Sequence, residues 1–182
     1  MTSNGSLIRY NPSNWDLDTP FRLSGFTFDA ANNGHILLLG VTAKVAPFTV
    51  QTKIRIDHNK FQSTPRTTTY QAIWNYGAMY GVVDNNDFTG INEPIRNSTQ
   101  DTSGNNWWDY YATTGFGFSY GDKYTLFYED NTLSDFGDLG VDCQFGGRYS
   151  MRYNTFITST GGSNTYIAEA HGNAPTPMYS CF

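Results

Sequence analysis

Apolar and polar residues alternate along short runs of this chain, and turns that contain Gly or Asn separate the runs. Residues 54–61, with the sequence IRIDHNKF, are one such run. A two-residue period predicts a β-strand in which Ile54 and Ile56 face a core and Asp57 faces outward. The hydrophobic pattern therefore predicts an all-β protein.

The run at 54–61 recurs three times further along the chain, and a degenerate first copy lies at residues 22–29. Each good copy carries an Asn, followed two residues later by an apolar residue. The recurring asparagines are Asn59, Asn86, Asn131 and Asn154. Recurrence of this kind predicts stacked units of a solenoid. We expect the asparagines to adopt a left-handed backbone at a corner and to bond to one another along the stack, which satisfies buried backbone groups.

A second feature precedes the Asn copies: a large side chain followed by Gly ends a strand-like run. These pairs are Leu39-Gly40, Tyr76-Gly77, Tyr120-Gly121, Phe145-Gly146 and His171-Gly172. Each unit is then strand, Gly turn, strand, Asn turn and apolar residue. This pattern resembles the right-handed parallel β-helix of the pectin-lyase-like superfamily, in a tailspike-like or uncharacterised branch. The resemblance implies about five to six coils, an internal Asn ladder and aromatic stacks.

The repeats also divide the chain. Residues 1–20 are predicted to be an N-terminal cap or extension, and residues 21–182 the β-helix, with a long loop insertion at about 91–114. The last coil is predicted to be incomplete, which leaves unpaired strand edges. We therefore expect either a homo-oligomer, such as a trimer, or a longer chain that continues the helix.

The composition supports the all-β prediction and excludes several partners. The chain has 18 Gly, 13 Tyr and 13 Phe, and only 15% of its residues are charged, which favours strands and turns. A net charge of -5 without a basic run argues against nucleic acid. No signal peptide is visible, and no apolar run is long enough for a membrane span. Cys143 and Cys181 are expected to be buried small hydrophobes.

The position two residues before each ladder Asn is predicted to face outward and to form a column. Its members are Asp57, Asp84, Glu129 and Arg152. Three stacked carboxylates can bind Ca²⁺, or they can supply the acid and base of a polysaccharide lyase or glycoside hydrolase. In the alternative, structural interpretation the column is neutralised by Arg55 and Arg152. Arg148, after a double glycine, is a candidate base or carboxylate clamp, and its alternative role is an ion pair with a neighbouring coil.

A Gly- and Asn-rich stretch within the predicted insertion supplies candidate sugar-binding residues. They are Trp107, Trp108, Tyr110 and Tyr111. Exposed aromatic rings stack on sugar faces, but the same rings can instead anchor a long loop to the helix wall. The three histidines lack metal-ligand spacing, so no metal site is assigned beyond the Ca²⁺ alternative.

Two functions are compatible with these features. In the first, the chain is a tailspike-like β-helix that engages an extended polysaccharide on its outer face, with depolymerase activity as an extension of that role. In the second, it is a non-catalytic structural β-helix of a virion or another extracellular assembly. Both predict a virion or extracellular location.

Overall fold

The structure is a computed structural model, and it describes residues 5–12, 19–29, 34–40, 51–63, 71–76, 79–98, 123–144, 148–158 and 166–170. These ranges contain sixteen β-strands and no helix, and so no helix that could cross a membrane. The strands are β1 (Ser6–Tyr10), β2 (Phe21–Ser24), β3 (Thr27–Asp29), β4 (His35–Leu39), β5 (Gln51–Asp57), β6 (Lys60–Gln62), β7 (Gln71–Asn75), β8 (Met79–Asp84), β9 (Asp87–Thr89), β10 (Glu93–Ser98), β11 (Leu126–Glu129), β12 (Thr132–Ser134), β13 (Leu139–Gln144), β14 (Tyr149–Arg152), β15 (Thr155–Ile157) and β16 (Tyr166–Ala170).

The strands form three parallel sheets, and each sheet takes every third strand. The first sheet has the order β1-β4-β7-β10-β13-β16, the second β2-β5-β8-β11-β14, and the third β3-β6-β9-β12-β15. The chain therefore visits the three sheets in turn before it returns to the first. This arrangement confirms the all-β prediction and fits a parallel β-helix-like solenoid.

Inward side chains stack in columns along the axis, as the two-residue period predicted. One column follows the third sheet and contains Phe28, Phe61, Phe88, Leu133 and Phe156. The rings of Phe61 and Phe88 are nearly parallel and stacked, with centroids 5.0 Å apart, and those of Phe28 and Phe61 are stacked at 5.3 Å. These three rings pack face to face in the core, and Leu133 continues the column between Phe88 and Phe156.

The asparagine ladder is present, and it lies at the corner between the second and third sheets. The backbone N–H and the side-chain Nδ2 of Asn59 both donate to Oδ1 of Asn86 at 3.0 Å. Asn86 donates in the same way to Asn131, and Asn131 to Asn154, again at 3.0 Å. The Nδ2 groups also donate to strand carbonyls, such as that of Ile56. Every rung therefore satisfies buried backbone groups that the sheets leave over.

The left-handed residue at this corner is the one before each ladder Asn, which corrects our prediction that the Asn itself is left-handed. Positive φ angles occur at Gly25 (79°), His58 (56°), Asn85 (54°), Asp130 (53°) and Tyr153 (60°). The turn thus needs one strained residue to bring the next side chain inward. In the first unit this next residue is Phe26, whose backbone N–H donates to Oδ1 of Asn59 at 3.1 Å.

The structure also contains two strands that the sequence did not predict. β1 lies within the predicted N-terminal extension, yet it pairs with β4 and belongs to the first sheet. β10 lies within the predicted insertion, yet it pairs directly with both β7 and β13. The run FGFSYG, which was predicted to be the strand at that place, falls outside the described residues. β10 was missed because Pro94 and two charged residues interrupt its apolar alternation.

Cys143 is buried as predicted, but it is not a free hydrophobic thiol. It is disulfide-bonded, and the described residues include no free cysteine. Cys181, the other cysteine of the chain, lies outside the described residues. The low cysteine count misled the prediction, because a single bridge needs no disulfide framework.

We expect Asn86→Ala to lower the free energy of unfolding by about 2–4 kcal/mol, because it leaves donors on Asn59 and buried strand carbonyls without partners. Urea unfolding monitored by tryptophan fluorescence measures the loss. The neighbouring exposed variant Asn85→Gly keeps the left-handed turn and should stay within about 1 kcal/mol of the wild type. Equal stability of the two variants would contradict a structural role for the ladder.

Candidate functional site

The predicted carboxylate column is formed by strands of the second sheet. Asp57 is in register with Asp84, Asp84 with Glu129, and Glu129 with Arg152. The predicted adjacency is therefore correct. Asp57 and Asp84, however, are buried, with 0% and 7% of their surface exposed. Both side chains face away from the core, as predicted. Arginine side chains cover them, so they are not open to solvent.

Each acid of this column is in contact with an arginine. Arg22 forms two hydrogen bonds with Asp57, of 2.8 and 2.6 Å, and Arg55 reaches Asp84 at 3.0 Å. Arg152 contacts Glu129 at 2.7 Å, which confirms the predicted pair. The guanidinium of Arg22 holds the pKa of Asp57 far below its ordinary value. The ionised Asp57 therefore stabilises the fold fully at pH values above the ordinary pKa of an aspartate. This stabilisation is lost as the pH falls from that value towards the lowered pKa of the folded state.

This pairing favours a structural role for the column. Three carboxylates face three arginines, so the column has no net charge to attract a cation. The described residues contain no group of acids and imidazoles arranged to hold a metal ion. Catalysis or Ca²⁺ binding by Asp57, Asp84 and Glu129 remains an untested prediction.

The other predicted site residues are only partly described. Arg148 directly precedes β14, and its carbonyl accepts hydrogen bonds from the Asn97 side chain and the Leu126 backbone, each at 3.0 Å. The Arg152 guanidinium lies 6.0 Å from the centre of the Phe127 ring. The four predicted sugar-stacking residues lie outside the described residues: Trp107, Trp108, Tyr110 and Tyr111.

A different polar cluster, which the sequence did not reveal, lies on the outer face of the first sheet. Trp74, Arg96 and Asp142 are in register on β7, β10 and β13. Each directly follows a core residue, respectively Ile73, Ile95 and Val141. Because successive side chains of a strand point to opposite faces, the three polar or aromatic side chains face away from the core.

Arg96 links two buried carboxyl groups within this cluster. Its Nε donates to Oε1 of Glu93 at 2.9 Å and to Oδ2 of Asp142 at 3.0 Å. Gln71 on β7 donates from Nε2 to the other oxygen of Glu93. Glu93, Gln71 and Asp142 are each at most 2% exposed, whereas a quarter of the Arg96 side chain is exposed. The cluster therefore presents Arg96 outward and keeps its acids beneath the surface.

Glu93 is the acid of this cluster that holds a proton at neutral pH. Burial, followed by a hydrogen bond with Asp142, raises the pKa of Glu93 to about 8. Arg96 opposes this shift, but it cannot neutralise two buried charges at once. At neutral pH Glu93 is therefore uncharged, and Arg96 does not have to balance two buried negative charges.

Aromatic rings flank this cluster on the strands next to it. The Trp74 ring lies 4.5 Å from the imidazole of His35, centre to centre, and 5.0 Å from the ring of Tyr76, which meets it edge-on. The Arg96 guanidinium lies 5.8 Å from the centre of the indole ring. Trp74 also donates from Nε1 to the hydroxyl of Ser98 at 3.3 Å. Burial lowers the pKa of His35, so its imidazole is neutral at neutral pH.

The outer strip is defined as the outward residues Trp74, Tyr76, Arg96 and Asp142 together with the first residues of β4, β7 and β10, which are His35, Gln71 and Glu93. It was missed because Glu93 and Arg96 fell in the predicted insertion, far in sequence from the other members. One signal was present: the strand sequences of β7 and β10, QAIWN and EPIRN, share Ile at the third position and Asn at the fifth. Aligning those positions would have placed Trp74 beside Arg96.

No family model, no curated protein and no solved structure matches this chain. The class of protein is therefore defined by its own geometry. The described residues form an all-β, parallel β-helix-like solenoid with a closed ion-pair column on one sheet and a polar aromatic strip on another.

We expect the stability of the wild type to fall as the pH rises from about 4.5 to about 8. The folded state then keeps a proton on Glu93 that the unfolded chain has lost, at a cost of up to about 1.4 kcal/mol per pH unit. Urea unfolding at pH 5, 6, 7 and 8 measures this slope. Glu93→Gln should flatten it, and an unchanged slope in that variant would assign the effect to another group.

Proposed function

We propose that the solenoid is a right-handed parallel β-helix with five coils and the first strand, β16, of a sixth. Two features support this. Crossover connections between parallel strands of one sheet are right-handed in roughly 98% of cases, and β1, β4, β7, β10 and β13 are each followed by one strand of the second and third sheets.

We further propose that this module binds an extended polysaccharide along the outer strip of the first sheet. The observation that carries the proposal is the Trp74 ring, partly exposed between His35 and Tyr76 and next to the Arg96 guanidinium. Sugars combine an apolar ring face with equatorial hydroxyl groups. An indole face beside fixed hydrogen-bond donors and acceptors complements both parts of such a ligand.

The geometry of the first sheet suits a long ligand. Its six strands run parallel, and neighbouring strands lie about 4.8 Å apart. One sugar unit of an extended chain has a similar length, so successive sugars can meet successive strands. The buried acids position Arg96, because two carboxyl oxygens hold its Nε and leave the outer end of the guanidinium for a ligand.

This proposal keeps the glycan partner expected from the sequence but moves the site. Any role of the tryptophans and tyrosines at 107–111 stays a prediction, as do depolymerase activity and a virion or extracellular location. If the chain is an enzyme, lyase or glycoside hydrolase chemistry remains the class to test.

We expect Trp74→Ala to weaken glycan binding at least tenfold on a glycan array, because it removes the stacking surface. Isothermal titration with the strongest array hit measures the change. The matched control is Phe127→Ala, which removes an outward ring from the second sheet. Equal affinity of Trp74→Ala and wild type would refute the proposed site, and loss in both variants would indicate general unfolding.

The second candidate is a non-catalytic structural module of a larger assembly. The exposed large apolar side chains of the described residues all lie between β1 and β3 or from the turn after β14 onward: Leu7, Phe26, Tyr153, Ile157, Tyr166 and Ile167. Side chains of this kind beside edge strands favour association. Under this function light scattering at micromolar concentration shows a homo-oligomer, which Ile167→Lys dissociates. A monomeric wild type would contradict it.

A further inference from the structure

We propose that the outer strip selects uncharged sugars and rejects sugars that carry a carboxylate. This inference rests on the proposed function, and it names the class of sugar that the same site accepts. Its basis is the arrangement of Arg96, the cation next to Trp74, which two buried carboxyl groups already hold.

The first step concerns the charge available to a ligand. A guanidinium that binds a sugar carboxylate needs a net positive surrounding, because desolvating the incoming anion is costly. Arg96 instead shares its Nε between Glu93 and Asp142. Two acids therefore hold one cation, so the group of three has no excess positive charge. The carboxylate of a sugar would add a negative charge that Arg96 does not balance.

The protonation of Glu93 supports this count. Burial and the contact with Asp142 raise its pKa to about 8, so its proton is present at neutral pH. Raising the pH through that value removes the proton and adds one negative charge to the site. Glu93 therefore strengthens the repulsion of anions above this pH and never contributes a positive charge.

The other charges that the described residues place near this face do not change the conclusion. His35 on β4 is neutral, and β13 and β16 bring Asp142 and Glu169 into register. Tyr128 and Tyr149 lie in the core, on β11 and β14 of the second sheet; burial is the main cause that raises their pKa values, and the charge of Asp142 adds to it. Both phenols are therefore neutral as well.

A second cation, Arg9, lies in the same column of this face. It is on β1, in register with Leu38 of β4, which is in turn in register with Trp74 of β7. Two strand spacings separate Arg9 from Trp74, about 10 Å. Because Arg9 is exposed, its attraction for a ligand at Trp74 is largely screened at that distance in physiological salt.

The strip nevertheless keeps the donors that a neutral sugar needs. The two Nη groups of Arg96 make no hydrogen bond to a described residue. They can donate to hydroxyl oxygens, which bring no charge. A sugar whose hydroxymethyl group is replaced by a carboxylate is therefore repelled by the acids of the strip and gains no new cation to bind. The strip can discriminate between the two sugars by charge alone, without a steric clash.

The test compares matched pairs of oligosaccharides. The probes are hexasaccharides of β-1,4-glucan, β-1,3-glucan, β-1,4-mannan and β-1,4-galactan, each with a counterpart whose C6 hydroxymethyl groups are oxidised to carboxylates. Isothermal titration at pH 7 and 0.15 M salt gives the affinities for wild type and Trp74→Ala. We expect at least one neutral probe to bind in a Trp74-dependent manner, at least tenfold tighter than its oxidised counterpart.

The outcomes separate the two proposals. An oxidised probe that binds as tightly as its neutral partner, or tighter, and needs Trp74 would overturn the selectivity while the glycan site stands. If no probe of either series binds in a Trp74-dependent manner, both the glycan site and its selectivity fail.

The same measurement at pH 6 and pH 9 tests the role of the carboxyl pair. In the wild type the preference for the neutral probe should widen at least threefold at pH 9, because the pair gains a negative charge. Glu93→Gln should hold the preference constant. Asp130→Asn, which removes an exposed acid from the corner of the second and third sheets, should behave like the wild type. A widening that persists in Glu93→Gln would show that the pair does not set the charge.

Discussion

The asparagine ladder is the interaction on which the rest of the structure depends. A corner between two parallel strands leaves backbone donors and carbonyls without sheet partners, and burying them unpaired costs about 1–3 kcal/mol each. Asn86 supplies the missing hydrogen-bond partners at one corner. Its Oδ1 accepts from Asn59, and its Nδ2 donates to a strand carbonyl and to Asn131. Because each rung bonds to the next, the ladder fixes the axial register of the second and third sheets.

This register decides which side chains meet outside the core. On the second sheet it stacks acids beside arginines, and the column closes into ion pairs such as that of Arg22 with Asp57. On the first sheet it brings together Glu93, Arg96 and Asp142. The two faces differ in the ratio of acids to arginines. One arginine serves two buried carboxyl groups on the first sheet, and the raised pKa of Glu93 keeps that acid protonated at neutral pH.

The left-handed corner shows how the fold tolerates sequence variety beside a fixed rung. Gly25, His58, Asn85, Asp130 and Tyr153 share little chemistry, yet all have positive φ. The cost of that conformation for a non-glycine residue is of order 1–3 kcal/mol, comparable to the gain from one satisfied rung. Backbone strain at one exposed residue of each corner thus allows the side-chain amide of the following ladder Asn to lie in the interior.

The sequence by itself determined the all-β class, the repeating unit, the ladder positions and the outward column. These features follow from local periodicity and from the recurrence of Asn59, Asn86, Asn131 and Asn154, which the chain order displays directly. Only the tertiary structure decided that β10 joins the first sheet, that Cys143 is disulfide-bonded, and that Asp57 and Asp84 are buried under arginines. The outer strip belongs to this second group. Its members come from separate strands, and an irregular alternation in β10 hid their registration, since register is set by pairing between strands and not by the sequence within one strand.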